Sequence, residues 1–140
     1  MEPIIVVGVD GTDTAAKAAR SAKQLAVALG ATLHIVTAFE TDRSGIVSND
    51  SDRWMVADKD RAAAVARKTA DALGASDVKI ESFAVEGPPA LALMKHAEGC
   101  AASVIAIGNR RMQGFKRVLG SVANTVAHNA PCDVYIVKTD

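Results

Sequence analysis

The densest chemistry in the chain lies in Ile107-Gly108-Asn109-Arg110-Arg111-Met112-Gln113-Gly114-Phe115-Lys116-Arg117-Val118-Leu119-Gly120-Ser121, which holds three glycines, four cations and one serine. Glycines let a backbone turn tightly and approach a ligand closely, and Ser121 stands where a helix would begin, with unpaired N–H groups facing an anion. No acidic residue occurs between Glu98 and Asp133. Sixteen Lys and Arg otherwise balance sixteen Asp and Glu, so the stretch is a local positive field suited to phosphate. A solvated basic loop before an ordinary helix cap is the plainer reading of the same residues. The matching acidic group is Asp10, which ends the first apolar run and opens the turn Asp10-Gly11-Thr12-Asp13.

Other chemistry is sparse. The chain contains no GxSxG, no Walker lysine, no HExxH and no GxGxxG, so no catalytic residue is nominated and the expectation is binding rather than catalysis. His34, His96 and His128 fall on different elements and read as packing or surface residues. Cys100 and Cys132 are too few and too far apart for a metal knuckle or a redox pair, so they read as reduced packing residues and no metal site is expected. Trp54, the single tryptophan, reads as packing at a helix entrance rather than as a lid over a ligand.

The elements that must position these residues follow from hydrophobic periodicity. Ile4 to Val9 is continuously apolar, the mark of a strand covered on both faces. A helix from Thr14 to Leu29 ends at Gly30, and Thr32 to Thr37 returns as a second strand. Residues 39–57 lose all pattern; a helix over Asp58 to Leu73 follows. Lys79 to Val85 alternates polar and apolar, which predicts a half-exposed edge strand. After the turn Glu86-Gly87-Pro88-Pro89 come a helix to Ala97, a strand at Val104 to Ile107, the basic loop, a helix from Val122 to Ala127 and a last strand at Val134 to Val137. Five strands alternating with four helices predict a doubly wound α/β fold: one domain over residues 1–140, a five-stranded parallel sheet, helices on both faces. Ligands of such sheets bind beyond the carboxyl ends of the strands where the strand order reverses. Strands one and four should flank that point, bringing Asp10 and Gly108 together.

Composition supports this. Aromatics are only 4% of a chain that is 49% hydrophobic, so Ala, Val, Ile and Leu build the core. Zero net charge argues against nucleic-acid or membrane-surface partners. Met1-Glu2-Pro3 runs into a strand with no charged leader, so a soluble cytoplasmic protein is expected. A receiver domain would need an acidic pair after the first strand, and a flavin protein would need aromatics at the ring; neither is present in that pattern.

These residues together resemble the universal stress protein family along the whole chain. The resemblance rests on Val7-Gly8-Val9-Asp10-Gly11-Thr12, Gly87-Pro88-Pro89-Ala90, Val104 to Gly108, Gly120-Ser121 and Ala130-Pro131-Cys132-Asp133-Val134. It implies an adenine nucleotide site: Val9, Asp10, Gly11 and Thr12 at the adenosine, Val36 and Thr37 meeting adenine through their backbone, and Gly108, Asn109, Arg110, Arg111, Gly120, Ser121 and Val122 at phosphate and ribose. Nucleotide-binding members carry a glycine, two residues, a second glycine, nine residues, then glycine with serine or threonine. Here Arg111 stands at the second glycine, and eight residues, Met112 to Leu119, separate it from Gly120. A shorter, more charged loop suits one phosphate, so AMP or cyclic AMP is expected over ATP. The resemblance also implies a homodimer through the last strand, whose apolar edge needs a partner. A nucleotide-free interaction module of the same fold, binding a protein partner, is the alternative.

Overall fold

The computed structural model describes residues 2–40, 51–74, 77–109 and 119–139, with side chains in the second span described from residue 58. The elements alternate as β1 (Ile4–Gly8), α1 (Asp13–Leu29), β2 (Thr32–Phe39), α2 (Ser51–Leu73), β3 (Ile80–Glu86), α3 (Pro89–Gly99), β4 (Val104–Asn109), α4 (Ser121–Asn129) and β5 (Asp133–Lys138). All strand pairs are parallel, in the order β3-β2-β1-β4-β5. The doubly wound sheet expected from the sequence is thus present, with β1 beside β4 and β3 at an edge.

Because successive strand residues point to opposite faces, β1 serves two cores at once. Ile5 and Val7 pack with Ala18, Ala19, Ala22 and Ala26 of α1 and Ala66 of α2. Val6 faces the other way, onto Ala90, Leu93 and Ala97 of α3 and Ala123 and Val126 of α4. Fully buried Ile5, Leu33, Ile35 and Ile105 anchor these layers, each worth about 1.5–3 kcal/mol of transfer free energy. The alanine stripe of α1 lets that helix lie close to the sheet. So close is it that a Cβ on Gly108 would stand 3.1 Å from Ala18 Cβ and 3.2 Å from Thr139 Cγ2.

Three boundaries differ from expectation. The first strand ends at Gly8, with Val9 still donating its N–H to Val36 O at 2.9 Å. The last helix begins at Ser121. The second helix begins at Ser51 instead of Asp58: the polar run before it hides the start, although Ser51 and Asp52 are residue types favoured at a helix entrance. The pattern-free segment expected at 39–57 is therefore shortened at its end, and residues 41–50 within it lie outside the described residues. Trp54's side chain does too. Among the described residues no helix is long and apolar enough to cross a membrane.

Candidate functional site

At the carboxyl end of β1 the chain leaves the sheet through a turn built by Asp10. Its Oδ1 accepts the Thr12 N–H at 3.1 Å and the Thr12 hydroxyl at 2.6 Å. With its proton committed to Asp10, the Thr12 hydroxyl offers a lone pair to Ala15 N–H at 3.2 Å and so caps α1. Gly11 sits between them at φ +89°, a left-handed conformation that favours glycine. The Asp10 side chain is exposed, and its second oxygen, Oδ2, takes no part in the turn.

Across from it, β4 ends at Asn109, a buried residue with both ends in use. Its backbone O accepts Thr139 N–H at 3.2 Å, and its side-chain Oδ1 accepts Gly120 N–H at 2.8 Å. The latter bond ties the end of β4 to the start of α4. Gly120 is the helix N-cap and Ser121 the first helical residue, so Ser121 stands one place inside the position expected for a capping hydroxyl. The first intrahelical bond runs from Asn124 N–H to Gly120 O, which leaves the amides of Ser121, Val122 and Ala123 as the partnerless donors every helix start presents.

Between these two ends lies a cavity of about 440 Å³, within the ~300–1,000 Å³ range of small-molecule sites. Its polar rim is Asp10, Thr12, Thr14, Asn109, Gly120 and Ser121; its apolar walls are Val9, Val36, Ala38, Pro89, Leu93, Ile107, Val122 and Ala123. Gly8 and Gly108 form the floor where β1 and β4 part.

Of the residues nominated from sequence, Val9, Asp10, Thr12, Val36, Gly108, Asn109, Gly120, Ser121 and Val122 meet in this cavity. Gly11 does not; it faces the groove between α1 and α2. Thr37 is turned to the opposite sheet face from Val36, where its buried hydroxyl has no partner. Arg110 and Arg111 lie outside the described residues. Gly108 touches the cavity, yet its lack of a side chain is needed first for the approach of Ala18 and Thr139. Sequence reasoning missed Leu93, Pro89 and Ala38, which reach the site from α3 and β2; the Gly87-Pro88-Pro89 turn was the signal that a helix starts at this end of the sheet.

A second cluster was not foreseen. His34 on β2 and His96 on α3 occupy separate elements, as expected, but the fold brings His34 Nδ1 to 3.0 Å from His96 Nε2. Glu81, the register partner of His34 on β3, places Oε2 3.2 Å from His34 Nε2. Burial pushes the His34 imidazole below its ordinary value against the opposing pull of Glu81. His96 is lowered by burial and then by His34. Burial also raises the Cys100 and Cys132 thiols, and both cysteines are free.

Compared with known proteins, the chain matches the sequence model of the Universal stress protein family over residues 1–138. A universal stress protein of Methanocaldococcus jannaschii is 31% identical over 142 residues, covering 96% of this chain and 81% of that protein. Among solved structures, a universal stress protein in complex with cAMP is 33% identical, with a TM-score of 0.72 over 99% of this chain and 98% of the other. UspA from Lactobacillus plantarum, 21% identical, shares the fold with a TM-score of 0.76 over 97% of each chain.

Proposed function

The chain belongs to the universal stress protein family, and on that premise we propose that it binds an adenine nucleotide in the cavity between β1 and β4, preferring AMP or cyclic AMP to ATP. The observation that carries this reading is the cavity itself: one carboxylate at one rim, helix N–H donors at the other, and an apolar slot between them. Support comes from the 33% identical relative crystallised with cAMP. In this reading Asp10 Oδ2 accepts from the sugar or base, Val36, Ala38 and Leu93 flank the adenine, and the amides of Ser121 to Ala123 with the Ser121 hydroxyl meet one phosphate. The role is binding rather than turnover, because Asp10 Oδ1 is already held by Thr12. The protein assembles as a homodimer through β5, an edge strand on which Tyr135 is 41% exposed.

Calorimetric titration with AMP, cyclic AMP and ATP tests the proposal. The expected result is binding of AMP or cyclic AMP at least tenfold tighter than ATP. Tighter ATP binding would overturn the preference for one phosphate. No binding of any of the three would overturn the nucleotide site and leave the homodimeric interaction module.

A further inference from the structure

The cavity uses one end of α3, since Pro89 and Leu93 line it. The other end, about 10 Å further along the axis at 1.5 Å per residue, carries His96 and Cys100, four positions apart and therefore on one helix face. This face lies against His34. One ring nitrogen from each histidine and Cys100 Sγ all fall within 4.8 Å of one another.

Three features distinguish this cluster from a chance meeting of polar side chains. The first is donor chemistry: two imidazoles and one thiol are the set preferred by zinc and its neighbours among the transition metals, not by calcium or magnesium. The second is spacing. Two nitrogens on one tetrahedral zinc, each at ~2.0–2.1 Å, stand about 3.3 Å apart, and the His34 and His96 nitrogens are now 3.0 Å apart. The third is what surrounds the donors. Glu81 sits on the other nitrogen of His34 at 3.2 Å, the carboxylate–histidine arrangement that fixes a metal-binding imidazole. The Phe83 ring packs against both, with centroids 4.7 Å from His34 and 4.5 Å from His96.

We propose that His34 Nδ1, His96 Nε2 and Cys100 Sγ form a binding site for a zinc-like divalent ion, with the fourth position open to water. Glu81 accepts from His34 Nε2–H, so Nδ1 is a lone pair; at present it accepts from His96 Nε2–H. On binding, the His96 proton moves to its Nδ1, and the Cys100 thiol, whose weak contact is Ala97 O at 3.7 Å, gives up its proton to solvent. One proton is released per ion. The ion ties the C-terminal end of α3 to β2, on the opposite side of the sheet's length from the nucleotide cavity, so the two sites are tested separately.

The test uses the full chain stripped with chelator and titrated with Co²⁺ alone, then with Zn²⁺. The expected result is one Co²⁺ per chain with a thiolate-to-cobalt charge-transfer band that disappears when equimolar Zn²⁺ displaces the cobalt. Cys100→Ser should abolish that band, and Cys100→Ser and His96→Gln should each weaken Zn²⁺ binding at least tenfold. Glu81→Gln should weaken it by roughly 10–100-fold. His128→Gln, at an exposed residue outside the cluster, should leave it unchanged. Circular dichroism of each variant checks that it is folded. Absence of a stoichiometric ion in the unaltered chain, a band that survives in Cys100→Ser, or equal Zn²⁺ affinity in a folded His96→Gln overturns the site.

Discussion

Asp10 has two separable roles, and each of its oxygens carries one. Oδ1 holds the turn that caps α1, while Oδ2 is the group assigned to the nucleotide. Asp10→Asn keeps an acceptor for Thr12 but loses the charge, so it should weaken nucleotide binding with little change in melting temperature. Asp10→Ala loses both functions, and should weaken binding by roughly 1–3 kcal/mol and also lower the melting temperature. Calorimetry paired with thermal unfolding separates the two; equal melting temperatures for both variants would contradict the turn role. Gly108 presents the opposite case. Gly108→Ala places a methyl 3.1 Å from Ala18 Cβ and 3.2 Å from Thr139 Cγ2, contacts that can be relieved only by moving α1 or the chain end. It should destabilise the fold by about 1–3 kcal/mol, read as a lower denaturation midpoint without any ligand present.

At the scale of elements, what was readable in the sequence divides along a physical line. Continuous apolar runs such as Ile4 to Val7 and Val104 to Ile107 declare strands because burial on both faces leaves no other pattern. Asp10 and Gly120-Ser121 were readable because each marks the end of such a run. What could not be read depends on how elements sit on one another. His34 and His96 are 62 positions apart, and only the β2–β3 register and the seating of α3 on the sheet place them side by side. Thr37 shows the same limit on a smaller scale: one residue beyond Val36, it belongs to the other face. The β4–α4 connection is likewise held by something no motif announces, the 2.8 Å bond from Gly120 N–H to Asn109 Oδ1. Asn109→Ala should free the start of α4, costing roughly 1–3 kcal/mol for the lost buried acceptor and weakening nucleotide binding. Asn109→Asp, which keeps the acceptor, should rescue most of the stability. The β5 edge yields a further expectation: Val134→Lys with Ile136→Lys should convert a homodimer to monomer in sedimentation. A dimer that persists in this variant would place the interface elsewhere.

Over the whole molecule, the order β3-β2-β1-β4-β5 puts the first strand in the middle of the sheet. Both cores depend on it, since Ile5 and Val7 enter one and Val6 the other. Its second neighbour, β4, pairs Ile5 with Val104 and Val7 with Ala106, so half of the central pairing waits for a partner about a hundred residues downstream. That spacing sets a clock during synthesis. At ~5–20 residues per second, β1 spends on the order of 5–20 s outside the ribosome with one edge open and Val6 without the α4 side of its core. An unpaired apolar strand exposed for that long is a template for other chains. A nascent chain stalled before Val104 should therefore need a chaperone to stay in solution, and a fragment of residues 1–102 should be recovered in the pellet under conditions where the full chain is soluble.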